Sequence, residues 1–211
     1  MIKIRRFPFN EAKAYSALIY LLREYPGVKK TQIMKFFFLA DFYMFAKYEY
    51  PIFGGVYIHM DRGPVPIEVK NKLLPELIDS NLVRIEQKGG YKHFLNIDLE
   101  PDISVFTVTE LDTMHKTFSF LKHLKTSENV SNFTHNFGLW KLTKDGEPIP
   151  YEFARMTDEE IKKYLEEHRF YKQLALSLPT PKEVPNDYWN DYEIVIPASL
   201  EKEMLKTAFE N

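Results

Sequence analysis

The chain has 211 residues, with 28 Lys and Arg against 30 Asp and Glu for a formal net charge of −2; 45% of its residues are hydrophobic and 15% aromatic. This excludes a disordered chain and leaves enough apolar surface for the core of one domain with an appendage. The absence of cysteine excludes disulfides and thiolate metal sites, and no apolar run reaches membrane-spanning length.

In chain order, Asn10 is placed to cap a first helix over about residues 11–24, with Ala14, Leu18, Leu21 and Leu22 on one face and Pro26-Gly27 ending it. Thr31 is expected to cap a second helix reaching Tyr48, in which Lys35, Asp41 and Lys47 are the only charges. Aromatic and aliphatic side chains surround Asp41 on every face, so this helix belongs in the middle of a core. A carboxylate there is costly unless it is paired, hydrogen-bonded or protonated. Its neighbours four residues away are Phe37 and Phe45, so its partner comes from elsewhere in the chain. The candidates are the backbone N–H groups around Gly63, the Arg62 guanidinium and the His135 imidazole. In that reading Asp41 pins the Gly63-Pro64 loop and a late helix to the central helix.

Residues 51–60 read as a turn leading into a short strand, and Gly63, Pro64 and Pro66 as a rigid loop. Pro66 suits the first position of a helix to about Asn81, which Pro75 breaks or kinks. Residues 82–86 and 91–97, joined at Gly89-Gly90, have the pattern of a hairpin. Helices followed by a two-stranded wing predict a winged-helix-like arrangement. Thr109 is expected to open a helix carrying Leu111, Met114, Phe118 and Leu121, and Ser127 a shorter one ending near His135. Thr157-Asp158-Glu159-Glu160 is a capping box for a helix through about Leu176, and residues 199–209 suit one more short helix. The fold class is α+β, mainly α, with a domain over residues 1–155 and an extension over 156–211.

Charge is distributed unevenly. Residues 1–30 hold seven Lys and Arg against two acids, whereas residues 145–211 hold eight against fifteen. Lys29 and Lys30 precede the second helix, and Lys88 and Lys92 sit near the wing tip, so these four are the candidate DNA contacts. Against them stands the second helix, which as a recognition helix offers few donors to bases or phosphates. The acidic end contains Tyr188, Trp189 and Tyr192 in a run with too much apolar surface to remain in water. That run packs on the body or holds a protein partner, for which Tyr and Trp are effective anchors.

No GxSxG, P-loop or Gly-rich dinucleotide turn occurs. Asp41, His59, Asp61 and His135 are metal-ligand types without a ligand spacing. No catalytic, cofactor or metal residue is therefore assigned. Met1-Ile2-Lys3-Ile4-Arg5-Arg6 has no apolar segment behind it, and the expectation is a soluble, cytoplasmic protein with no membrane partner.

Several blocks taken in order resemble a known family. They are Phe38-Leu39-Ala40-Asp41, Tyr50-Pro51-Ile52, Gly55-Val56-Tyr57, Gly63-Pro64-Val65-Pro66, Thr134-His135, Trp140 and Gly146 to Tyr151 with Pro150, spanning roughly residues 13–153. Together they are similar to the Panacea domain, also called the SocA-like antitoxin domain. The resemblance implies a mostly helical domain that serves as the antitoxin of a two-gene pair, neutralising a cognate protein toxin encoded by the adjacent gene through direct binding. One member of the family delivers its toxin to a protease, and phage and prophage proteins also carry the domain. The alternatives for this chain are accordingly a phage or prophage accessory protein of the protease-adaptor kind, or a repressor binding its own operator DNA. In the family reading Asp41, Gly63, Pro64, Pro66, His135, Trp140 and Pro150 are structural. The residues after the domain, 156–211, are where toxin specificity is expected.

Overall fold

A computed structural model describes residues 4–96 and 99–177 of the chain. The order of elements is α1 (Glu11–Glu24), β1 (Val28–Lys29), α2 (Lys30–Tyr48), β2 (Tyr57–Ile58), β3 (Val65–Pro66), a π-helical segment (Val69–Leu73) running into α3 (Leu74–Asp79), β4 (Val83–Lys88), β5 (Tyr91–Asn96), a 3₁₀ turn (Ile103–Val105), α4 (Val108–Leu124), α5 (Ser127–His135), α6 (Gly138–Lys141), a second 3₁₀ turn (Tyr151–Arg155) and α7 (Asp158–Ser177). The fold is α+β and mainly α, with two small antiparallel sheets.

Local signals account for the first helix. Asn10 accepts a hydrogen bond from the Lys13 N–H, which satisfies one of the free donors of the first turn, and Gly27 at φ 80° turns the chain beyond the end. α2 has no polar side, and every residue from Gln32 to Phe45 is buried. It is the axis of the molecule, packed against α4, α5, β3 and the Tyr151–Arg155 turn.

The predicted wing is present, and it has a third strand. β4 and β5 close through Gly89-Gly90, whose φ angles of 59° and 77° are the left-handed pair that a two-residue hairpin turn requires. β1 pairs with the other edge of β5, Val28 opposite Phe94 and Lys29 opposite His93, giving the order β1-β5-β4. Val28, Val83 and Phe94 turn into the core. Lys29, Glu86, Tyr91 and His93 lie on the other face, where they line a cleft.

Three boundaries differ from the sequence expectation. Thr31 lies inside α2 rather than capping it, because pairing with β5 carries the chain into the helix two residues earlier; the Gln32 side chain accepts from the Lys29 N–H instead. Thr107, not Thr109, caps α4, its hydroxyl accepting from the Glu110 N–H while the Glu110 carboxylate accepts from the Thr107 N–H. Pro66 closes β3 and the helical run starts one residue later, at residue 67, while Pro75 neither ends that run nor simply kinks it. Proline has no N–H to give the carbonyl four residues back and its ring crowds that group. The preceding turn widens, so that the Leu74 N–H reaches Val69 O in a π pattern.

Ser127 opens α5 at the position expected, and Thr157 and Glu160 make the reciprocal bonds that start α7. Ile161 and Leu165 of α7 are buried in the same core as α2. The predicted helix over residues 199–209 and the aromatic run with Tyr188, Trp189 and Tyr192 lie outside the described residues.

Candidate functional site

Asp41 is wholly buried and accepts four hydrogen bonds. Its Oδ1 takes the Ile52 N–H at 2.8 Å and the Phe53 N–H at 2.7 Å; its Oδ2 takes the Tyr57 hydroxyl at 3.0 Å and the Tyr151 hydroxyl at 2.9 Å. Glu49, in the left-handed conformation just after α2, reverses the chain so that the amides of residues 52 and 53 come back onto the helix. Tyr57 lies on β2. The chain from Gly146 to Ile149 runs along β2, with the Gly146 N–H on His59 O and the Ile149 N–H on Tyr57 O, and this delivers Tyr151 to the same carboxylate. Burial pushes Asp41 up to about 7, the four donors opposing the rise without cancelling it. The same burial, with Asp41 nearby, lifts both tyrosines well above their ordinary value, so they remain donors.

This corrects the expected partners of Asp41. Neither the amides around Gly63, nor Arg62, nor His135 reaches it. The Gly63-Pro64 loop is held instead by Lys35, whose buried ammonium donates to Pro64 O at 2.8 Å. Asp41 and Lys35 lie six residues apart, more than one and a half turns of α2, and so leave the helix in different directions. The Lys35 ammonium is driven well below its ordinary range by burial. Gly63 has φ 94°, and a Cβ there would stand 2.5 Å from Lys35 Nζ and 2.8 Å from Thr134 Oγ1. Ser131 Oγ donates to Arg62 O, completing a junction of α2, the Gly-Pro loop and α5.

Beside that junction His59, Trp140 and His135 form a stack. The Trp140 ring lies 3.7 Å from His135 at 5° and 4.5 Å from His59 at 14°, and its indole N–H donates to Met60 O. Burial lowers both imidazoles; for His135 the charges of Lys35 and His59 add to it, while for His59 nearby Asp145, Glu147 and Asp61 oppose it. Burial thus favours the neutral form of both rings. Among the described residues no three His, Asp or Glu side chains come close enough to hold a metal ion, and Asp41 belongs to a different cluster from the two histidines. Pro150 starts the turn that carries Tyr151, and Pro66 lies opposite Tyr57 in the β2–β3 pair.

The candidate DNA contacts fall on both sides of the wing, Lys29 and Lys88 on the cleft side and Lys30 beside Lys92 on the other. Tyr57 and Tyr151 belong to the blocks singled out in the sequence, but nothing there marks them as the donors to Asp41, nor Lys35 as the anchor of the Gly-Pro loop. The available signal is that the most apolar helix carries one acid and one base, Asp41 and Lys35, within its apolar run, each needing a separate long-range partner.

The buried polar side chains at both junctions are engaged largely by the chain's own backbone and hydroxyls. They define a scaffold in which one apolar helix is tied twice to distant loops. Over residues 33–141 the chain matches the family described as antitoxin SocA-like, Panacea domain, and it belongs to that family. The matched segment runs from the first turns of α2 to the end of α6 and includes Lys35, Asp41, Gly63, Pro64, His135 and Trp140; Pro150 and Tyr151 follow it. No curated protein and no solved structure matches the chain. No helix among the described residues is long and apolar enough to cross a membrane.

Proposed function

We propose that this chain neutralises a cognate protein toxin by forming a non-covalent complex with it, without catalysis and without a cofactor. The observation that carries the reading is the family match over residues 33–141, which covers the Lys35 junction and the Asp41 junction apart from Tyr151. Asp41, Lys35 and the His59–Trp140–His135 stack hold the scaffold together, which leaves the outer surface for the partner. The aromatic run with Tyr188, Trp189 and Tyr192 is the segment of choice for contacting the toxin, since large rigid rings supply binding energy at little entropic cost. The toxin is the product of the adjacent gene.

The test is co-expression with that product. Restored growth together with co-purification of the two proteins supports the reading; toxicity that persists, with no complex formed, refutes it. Replacing Tyr188, Trp189 and Tyr192 together by Ala is expected to abolish rescue while thermal unfolding of the body stays the same.

A further inference from the structure

Apart from the short β2–β3 pair and the π segment inserted between α2 and α3, the succession α1, β1, α2, α3, β4, β5, with β1 beside β5, is that of a winged helix, and it changes which helix would face a nucleic acid. α2 is too apolar for that role, and it is the core axis. The helix immediately ahead of the wing is the stretch from the π segment through α3, and Lys70 and Asn71 lie on its accessible side.

Lysines gather at this end of the molecule on both faces of the wing. On one face, the pairing of Lys29 with His93 brings Lys30 next to Lys92. Lys70 completes that set: burial first, then the charges of Lys70 and Lys92, lower the Lys30 ammonium. On the other face Lys29, Lys88 and Lys125 line an open cleft of about 570 Å³ together with Tyr25, Tyr91 and His93. Lys29 Nζ lies 3.8 Å from the centre of the Tyr91 ring. Glu86, the acid of the cleft, is held by Arg84 at 3.0 Å. Among the described residues none of Lys30, Lys70, Lys88, Lys92 and Lys125 is in an ion pair with an acid, although the chain as a whole has more acids than bases.

We propose that this end of the molecule binds the backbone of double-stranded DNA, the wing lying along a groove with Lys30, Lys70 and Lys92 toward one phosphate strand and Lys29, Lys88 and Lys125 toward the other. A partner with negative charge on both sides of a two-stranded ribbon is what a duplex groove supplies. An acidic patch on a protein would engage one face. The proposal rests on charge and topology at the wing and is independent of toxin neutralisation.

The test uses the full chain alone and fluorescence anisotropy with two labelled duplexes of about 30 base pairs, one from upstream of its own gene and one unrelated, at about 50 to 200 mM KCl. Binding is expected to weaken steeply with salt. Replacing Lys30, Lys70 and Lys92 by Gln should lower affinity roughly tenfold or more and flatten the log–log salt slope by about 0.9 for each phosphate no longer neutralised. The Lys29, Lys88 and Lys125 triple replacement should do the same, whereas Lys162→Gln with Lys163→Gln on α7 should change neither. Melting temperatures establish that each variant is folded. Absence of binding at the lowest salt overturns the proposal, as does an effect confined to one of the two triple variants. If the triple variants keep their DNA affinity and lose the complex with the neighbouring gene's product, the surface belongs to a protein partner and the proposal fails.

Discussion

Tyr151 donates a hydrogen bond to Asp41 at 2.9 Å across 110 residues of chain, onto the same carboxylate oxygen that Tyr57 reaches at 3.0 Å. The donor is a phenol held neutral by burial and the acceptor a carboxylate that ionises near pH 7. Tyr151→Phe removes that donor alone, since the ring still packs against Phe42 at 5.0 Å. A hydrogen bond to a charged group contributes about 1.5–3 kcal/mol. The variant is expected to lose about that much at pH 8, where Asp41 is ionised, and less at pH 5, where it is protonated. Urea unfolding at the two pH values measures the difference, and equal losses would show that charge plays no part in the bond.

Asp41 also sets a pH dependence of the whole fold. Its folded value is raised to about 7 from 3.8, so between those values the folded chain holds a proton that the unfolded chain has released. The resulting stability is fully present below about pH 4 and is lost as pH rises through 7, an effect of the order of 4 kcal/mol. Asp41→Asn keeps an acceptor for the amides of Ile52 and Phe53 and offers an N–H to the tyrosine hydroxyls, so it should fold and lack this loss. Asp41→Ala leaves two buried amides and two hydroxyls without an acceptor and is expected to cost about 3–5 kcal/mol. Should Asp41→Ala leave thermal unfolding unchanged and abolish toxin binding, Asp41 would be a contact residue rather than a structural one.

Gly63→Ala tests the second junction. The position requires φ 94°, and the new Cβ would meet the ends of Lys35 and Thr134. Strain and overpacking together should cost about 2–4 kcal/mol. Combining it with Lys35→Ala, which vacates the space at Nζ, should restore part of the packing loss, so the double variant is more stable than the sum of the single effects allows. Strict additivity in chemical denaturation would show that Gly63 and Lys35 are not coupled.

Lys35→Met probes the buried ammonium itself. The folded value lies well below 10.5, so between the two the unfolded chain binds the additional proton and stability rises with pH toward 10.5. Methionine preserves the apolar stem and loses one bond to Pro64 O, a change expected to stay within about 1 kcal/mol near neutrality. The alkaline rise should disappear in the variant, and its persistence in unfolding curves up to pH 10 would assign it to another group.

Where structure is set by neighbours in sequence, it was legible. Asn10 before an amphipathic run and Gly89-Gly90 between two strands specify α1 and the hairpin from a few residues each. That Asp41 is buried and needs a distant partner was legible as well. The identity of the partner was not, because the donors are two loop amides, which any residue carries, and two tyrosines that read as core aromatics. Their convergence depends on the chain reversal at Glu49 and on residues 146–149 running beside β2, contacts with no local signature. The anchor of the Gly-Pro loop is hidden for the same reason: six positions apart on one helix, Lys35 and Asp41 serve different loops. Pro75 was recognised as a disturbance, but whether a helix stops or widens around a proline is decided by the packing of its flanks, here Leu73, Leu74 and Leu77 in the core.

The two-residue strand β1 has a kinetic consequence. The hairpin of β4 and β5 needs only a two-residue turn, and such a unit forms in about 1–10 μs. The edge contact of His93 with Gly27 O, at 2.6 Å, closes a separation of 66 residues that contains the whole of α2. That closure carries the entropy of a long loop and waits on the packing of α2. β1 is therefore expected to close as a latch onto a hairpin already formed, with amide protection at the β1–β5 edge arising with the global fold, after protection within the hairpin.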